Sequence, residues 1–180
     1  STSLYTIDTT LPTVSASPSA GTYTSAQSVT LTPSETSIIY YTTNGAAPTT
    51  SSSIYSTPIS ISSTTTLKYF AKDTAGNSGN ISTSLYTIDT TLPTVSASPS
   101  AGTYPTSQLV TLTPSEPSTI YYTIGGTTPT TSSPIYVGSI SIGSDVTLKY
   151  FAKDTAGNSG NVVTLLYTIT PSGPITHIID

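Results

Sequence analysis

The sequence predicts an all-β protein of two tandem β-sandwich domains, each with about seven strands. First, residues 11–89 recur as residues 92–170, at a shift of 81 residues, with 58 of the 79 aligned positions identical. Second, short stretches of alternating apolar and polar residues are separated by turn signals roughly every 8–12 residues. Third, no window carries apolar residues at helical spacing, and Thr, Val and Ile, which favour strands, are abundant.

Seven strands are expected in the first repeat, at residues 13–17, 27–32, 37–43, 54–55, 59–61, 65–72 and 82–88. Pro18 and Gly21 are expected to end the first strand. Asn44-Gly45 provides a turn at low cost at positive φ, and Gly125-Gly126 does the same in the second repeat. This pattern is typical of an Ig-like or fibronectin-III-like sandwich, in which two sheets bury their apolar faces against each other.

The repeat also defines the predicted domains. Residues 1–10 are identical to residues 82–91 and are interpreted as an orphan closing strand and linker from a preceding repeat, or as a donor strand. The first repeat covers residues 11–89, the linker and second repeat residues 90–170, and a non-repeat tail residues 171–180. The possible inter-subunit strand, which would add to a sheet edge of a neighbouring chain, consists of Ser3, Leu4, Tyr5, Thr6 and Ile7.

The composition excludes several classes of function. Charged residues make up 7% of the chain, against about 25% in an average soluble protein. Four Lys and no Arg cannot build a phosphate-binding face, so no nucleic-acid partner is expected. No apolar stretch approaches the ~20 residues that span a bilayer. The chain lacks Met, which indicates that Ser1 is a processed end or a cut within a longer chain, and an extracellular location is expected.

No catalytic residue, cofactor or metal site is predicted. The only His, His177, lies in the tail, so a Ser-His-Asp arrangement cannot be built in each repeat. Calcium is the best alternative, because Asp73 and Asn77 with the linker residue Asp89 are expected to offer oxygen ligands near one end of the domain. At most two carboxylates are expected to be close, however, and Asp73 is expected instead to accept hydrogen bonds from its own turn.

Two further side-chain types are candidates for surface roles. Sugar contacts are considered for Tyr40, Tyr55, Tyr121 and Tyr136, since one of the adjacent residues Tyr40 and Tyr41 should face the core and the other should lie outside. All four lysines lie in the same predicted strand of each repeat, residues 65–72 in the first. We interpret this strand as an edge strand whose lysines discourage aggregation.

The segment IYYTTNGAAPTTSSSIYSTPISIS, with TTLKYFAKD after it, resembles the chitobiase/β-hexosaminidase C-terminal domain family, as does its copy IYYTIGGTTPTTSSPIYVGSISIG. The FAKDTAGN…YTIDTTLPT part looks like repeated Ig-like modules of bacterial and archaeal surface proteins. This resemblance implies a β-sandwich that is appended to enzymes or arranged in long surface arrays and has no catalytic role. The family's usual Asp before the turn glycine is replaced by Asn44 and Gly125, which argues against a role for charge there.

We therefore expect a non-enzymatic, extracellular structural or adhesive module of a microbial surface stalk or filament. It would associate with itself, with strand addition as one route, or with other cell-surface components. The alternative is a carbohydrate-binding accessory module of a secreted glycoside hydrolase, with a polysaccharide as its partner.

Overall fold

The structure is a computed structural model that describes residues 7–170. The chain divides into two compact units, Ser1–Thr90 and Thr91–Asp180. Every regular element in the described part of the chain is a β-strand. No helix long and apolar enough to cross a membrane is found among these residues. The predicted fold class, all-β with two tandem sandwich-like units, is confirmed.

The first unit contains eight strands within residues 7–90: β1 (Val14–Ser17), β2 (Gly21–Tyr23), β3 (Gln27–Pro33), β4 (Ser37–Thr42), β5 (Ser53–Ile54), β6 (Ile59–Ile61), β7 (Thr65–Asp73) and β8 (Ser82–Ile88). A three-stranded sheet has the order β1-β3-β6, and a five-stranded sheet has the order β2-β8-β7-β4-β5. The pairs are antiparallel except for β2 and β8, which are parallel.

The core of the first unit lies between its two sheets and follows the period-two pattern of each strand. Val29 and Leu31 of β3 alternate with exposed residues, as do Ile59 and Ile61 of β6. Burying each of these aliphatic side chains contributes about 1.5–3 kcal/mol. The opposing sheet contributes its buried residues from β4, β7 and β8, namely Ile39, Leu67, Tyr69, Ala71 and Tyr86.

The second unit repeats this arrangement with seven strands within residues 91–170: β9 (Val95–Ser98), β10 (Gly102–Tyr104), β11 (Gln108–Pro114), β12 (Ser118–Ile124), β13 (Ile140–Ile142), β14 (Val146–Asp154) and β15 (Val163–Ile169). Its sheets have the orders β13-β11-β9 and β10-β15-β14-β12. The counterpart of β5 is reduced to an isolated bridge between Tyr121 and Ile135. Pro134 stands where the first unit has Ser53, and proline has no N–H to donate to a ladder.

Two local predictions were wrong. Gly21 does not only follow the first strand: it begins β2, whose Tyr23 stacks on Tyr86 with ring centroids 6.2 Å apart. A strand of three residues with one apolar side chain gives no periodic signal, so only its pairing reveals it. The interpretation of the lysine-bearing strand as an edge strand was also wrong. That strand, β7, lies inside the sheet between β8 and β4.

Candidate functional site

The candidate site is the turn after β7, which is formed by the longest stretch that is identical in both repeats, residues 66–80 and 147–161. Asp73 ends the strand, and its N–H donates to the carbonyl of Asn77 at 3.0 Å. Gly76 has a φ of 100°, a conformation that L residues with side chains rarely adopt. The N–H of Gly79 then returns to the carbonyl of Ala71 at 2.9 Å, which closes the turn onto its own strand.

The carboxylate of Asp73 organises this turn. It is only 8% exposed, its Oδ1 accepts from the Asn77 N–H at 2.8 Å, and its Oδ2 accepts from Asn77 Nδ2 at 2.8 Å. Desolvation by burial pushes the pKa of Asp73 up, but hydrogen bonds from Asn77 and from the backbone of Gly76 and Ala75 outweigh it and hold the pKa below 3.8. The expected hydrogen bonding of Asp73 within its own turn is therefore confirmed.

The same turn holds the linker segment, which we define as residues 8–12. The second donor hydrogen of Asn77 Nδ2 is directed to the Asp8 carbonyl at 3.0 Å. Gly79 allows the backbone of Pro12 to approach so closely that an added Cβ would overlap the Pro12 carbonyl oxygen. Pro12 is fully buried although it lies outside every strand. We call the contacts of Asn77 and Gly79 with the linker segment the linker clamp.

The second unit builds the corresponding turn from the same residue types. Asn158 donates to both carboxylate oxygens of Asp154, from its N–H and from its Nδ2, each at 2.8 Å. The pKa of Asp154 is lowered, because these hydrogen bonds and those from Gly157 and Ala156 outweigh the opposing desolvation. A Cβ at Gly160 would overlap the carbonyl oxygen of Pro93, as Gly79 and Pro12 show in the first unit.

Three acids meet beside the clamp of the first unit. Carboxylate oxygens of Asp8, Glu35 and Asp73 lie within 4.8 Å of one another. Burial, followed by the negative charges of Asp8 and Asp73, raises the pKa of Glu35 above 4.5. The three carboxylates could offer oxygens to a divalent cation, although Ca²⁺ takes six to eight ligands and both oxygens of Asp73 already accept hydrogen bonds.

The predicted grouping of oxygen ligands was therefore wrong in two ways. Three carboxylates come together here rather than two at most. Asp89 is not beside Asp73, because β8 runs antiparallel to β7, with Tyr69 opposite Ser82 and Thr65 opposite Tyr86. The end of β8 that leads to Asp89 is thus opposite the start of β7, while Asp73 ends β7.

The residues of the predicted inter-subunit strand are mostly outside the described part of the chain. This holds for Ser3, Leu4, Tyr5 and Thr6. Ile7 is described, lies outside any strand and is 88% exposed. Strand addition therefore stays a prediction.

The predicted sugar-contacting tyrosines have little free ring surface. Tyr40 is 9% exposed and stacks on Phe70 with centroids 5.4 Å apart, and Tyr121 stacks in the same way on Phe151 at 5.3 Å. Tyr55 is half-buried against the core, and the Tyr136 hydroxyl accepts from the Leu112 N–H at 3.1 Å. These contacts leave a sugar-binding role for the four residues a prediction.

The expectation for the tyrosine pair on β4 needs a correction. Tyr41 faces the core, and Tyr40 lies on the other face of the sheet, as alternation requires. Tyr40 is nevertheless buried, because the cross-strand partner Phe70 covers its ring.

The sequence did not predict a shallow cleft of about 330 Å³ that the first unit contains. It lies at the end of β4 and is lined by Tyr41, Thr42, Thr43, Asn44, Ser51, Ser52 and Ser53. The run of hydroxyl residues at 49–53 was the available signal, but a run of Ser and Thr is equally typical of an ordinary loop.

Comparison with known proteins gives a family. A family described as "Chitobiase/beta-hexosaminidase C-terminal domain" matches residues 18–83 and 99–164, one match in each repeat. Fibronectin(III)-like modules of Clostridium thermocellum CbhA are structurally similar, with 14% identity, 93% of this chain and 100% of that chain covered, and a TM-score of 0.48. The search of curated proteins found no match. Since the two matched stretches make up more than half of the sequence, the chain belongs to the chitobiase/beta-hexosaminidase C-terminal domain family.

Proposed function

We propose that this chain is a non-enzymatic structural repeat module of an extracellular microbial stalk or filament. The observation that carries the proposal is the linker clamp, because the most constant motif of the repeat is used to fix backbone rather than to present reactive groups. Membership of an accessory-domain family supports a non-catalytic module. The hydroxyl-rich surface and the 7% of charged residues are consistent with this role.

The clamp has a mechanical consequence. Five extended residues reach roughly 17 Å, at about 3.3–3.6 Å each, so a loose linker of this length would let a domain swing freely. Fixing each residue costs about 1–2 kcal/mol in backbone entropy. Burial of Pro12 and the bond from Asn77 to Asp8 offset part of this cost, which makes a constrained linker possible.

A longer tandem array of the repeat provides the functional test. In the array, Asn77→Ala and its match Asn158→Ala would be placed in every repeat, and the end-to-end distance would be measured by small-angle scattering. We expect the variant array to be more compact, because loose linkers let the domains reorient. A matched array with Asn80→Ala, a change in an exposed residue beyond the turn, should keep the native dimensions. Equal dimensions for all three arrays would contradict the proposed role.

Self-assembly by strand addition is the second part of the proposal. Residues 1–8 are identical to residues 82–89, which contain all of β8. β8 pairs with β7 on one side and with β2 on the other, so it is an internal strand of the sheet and not an edge strand. A segment with this sequence could therefore supply the same side chains in the same register to a domain of another chain that lacks β8.

Deleting residues 1–7 tests this part separately, because it keeps Asp8, whose carbonyl accepts from Asn77 in the linker clamp. We expect assembly to be lost while the fold of both units persists, since the described strands begin at Val14. Replacing residues 1–7 by a Gly/Ser segment of equal length controls for chain length. Unchanged assembly in both variants would end the strand-addition proposal and leave the role of the clamp untouched.

A further inference from the structure

We propose that the cleft at the end of β4 in the first unit binds a neutral oligosaccharide. Its lining combines one aromatic ring, from Tyr41, with hydroxyl groups and a carboxamide, and none of the seven lining residues is charged. Sugars are recognised by such combinations, because a ring face packs against their C–H surface while hydroxyls and amides exchange hydrogen bonds with theirs. The inference does not depend on the proposed stalk function.

The one aromatic residue of the cleft is held in place. Tyr41 is partly buried and packs against the core of the first unit. Its backbone lies in β4, opposite Tyr69 of β7 and Ser53 of β5. A rigid aromatic surface loses little conformational entropy when a ligand binds, which favours binding at a shallow site.

The polar groups of the cleft are also positioned before any ligand arrives. Thr42 Oγ1 donates to the Ala46 carbonyl at 2.6 Å, and Asn44 Oδ1 accepts from the Ala46 N–H at 3.0 Å. These bonds fix the turn and leave Asn44 Nδ2 with no hydrogen-bond partner in the described part of the chain. Ser52 Oγ accepts from the Thr49 N–H at 2.9 Å, which fixes the opposite wall.

Charge narrows the class of ligand. An anionic ligand such as a phosphate or a uronic acid would find no cationic partner among the lining residues. A cation would likewise find no carboxylate there. Neutral hydroxyl-rich ligands remain as candidates. The Ser, Thr and Asn side chains of the cleft can donate hydrogen bonds to the hydroxyls of such a ligand and accept hydrogen bonds from them.

The second unit provides a natural control. At the positions equivalent to Thr43, Asn44 and Ser53 it has Ile124, Gly125 and Pro134. Two hydroxyls and the carboxamide are thereby lost, while the aromatic residue is kept as Tyr122. Since the second unit has the same fold, these three replacements are compatible with it.

Titration of the full chain with cellotetraose, chitotetraose and maltotetraose, followed by NMR of backbone amides, tests the inference. We expect at least one of them to shift the signals of residues 41–44 and 51–53 and to leave those of residues 122–125 and of residues 132 and 133 in place. The variant Thr43→Ile/Asn44→Gly/Ser53→Pro should weaken binding by roughly tenfold or more, since it removes several hydrogen bonds to the ligand.

The reverse change gives an independent measurement. Ile124→Thr/Gly125→Asn/Pro134→Ser should create a second responsive region in the second unit, and unchanged core signals would show that both variants are folded. The inference is overturned if none of the three sugars shifts the cleft signals, or if the shifts are the same in the first-unit variant. Shifts confined to another surface would overturn it as well.

Discussion

The two units differ most instructively in their final strands, β8 and β15, which follow an identical turn. In the first unit Ser82 and Ser84 occupy the inward positions, whereas the second unit has Val163 and Leu165 packed against its core. Ser84 is 7% exposed, and its hydroxyl is 3.2 Å from the hydroxyl of Tyr69. The last strand of the sandwich can thus pack against the core through apolar side chains or through a buried pair of hydroxyls, provided that the hydroxyls are hydrogen-bonded. What the two units share, the Asp-Asn turn with its close glycine–proline contact, is therefore better evidence of function than their cores.

The largest effect is expected where the two units agree most closely. Gly79→Ala should destabilise the first unit by about 2–3 kcal/mol, because the added Cβ meets backbone that cannot move aside cheaply. The matched Gly76→Ala meets no atom within 4 Å and costs only the strain of its φ of 100°, about 1 kcal/mol. Hydrogen exchange of the core amides of each unit would separate the two effects. Equal losses would mean that the approach of Pro12 is not a constraint.

The next effect concerns the amide of the clamp. Asn77→Ala removes the hydrogen bonds that Asn77 Nδ2 donates to Asp73 Oδ2 and to the Asp8 carbonyl, so we expect a loss of about 1.5–3 kcal/mol in the first unit. The hydrogen bond from the backbone N–H of residue 77 to Asp73 Oδ1 persists in the variant. The expected loss is therefore smaller than the cost of unfolding the whole turn. Urea denaturation monitored by unit-specific NMR signals measures it. A loss spread equally over both units would contradict a local clamp.

Exchanging the strand residues sharpens the comparison between β8 and β15. Leu165→Ser should destabilise the second unit by about 1–2 kcal/mol, because a partly buried leucine contributes less than a fully buried one. Ser84→Leu should change the first unit less, since gained apolar burial is offset by loss of the partner of Tyr69. The same denaturation experiment applies. If Leu165→Ser had no effect, the packing of the Leu165 side chain against the core would contribute nothing to the stability of the second unit.

The smallest effect is a pH dependence that comes from the acids beside the clamp. The folded-state pKa of Glu35 is raised above 4.5, so its unfavourable contribution develops as pH rises through that pKa. Glu35→Gln should therefore stabilise the first unit at neutral pH, and the difference should vanish under acidic conditions where Glu35 is protonated in both states. The pKa of Asp73 is lowered below 3.8, so its stabilisation is present above 3.8 and is lost as pH falls through the folded value.

Asp73→Asn is the matched control for this pH series. It should destabilise the first unit at neutral pH, the opposite sign to Glu35→Gln, because an amide cannot accept both hydrogen bonds from Asn77 as a carboxylate does. Unfolding free energies of both variants at neutral and acidic pH test the signs. The same direction of change at neutral pH would refute the electrostatic account of the cluster.

The sequence was sufficient for most of the fold and for little of the site. Period-two patterns in residues 27–32 and 59–61 predicted strands that bury Val29, Leu31, Ile59 and Ile61. The meeting of Asp8, Glu35 and Asp73 depends on how the sheets pack, and these residues are far apart in sequence. One signal was available: the same acids recur 81 residues later as Asp89, Glu116 and Asp154. For the cleft, the one signal was the run of hydroxyl residues at 49–53, which is equally typical of an ordinary loop.

The central claim is that the turn after β7 holds the linker segment, and the backbone order of residues 8–11 tests it most directly. Amide ¹⁵N relaxation should show these residues to be as rigid as β7 in the unmodified chain, and mobile on the nanosecond timescale in Asn77→Ala. The control is Asn158→Ala, which should leave the order of residues 8–11 unchanged. A linker segment that is mobile in the unmodified chain, or equally rigid in Asn77→Ala, would contradict the account.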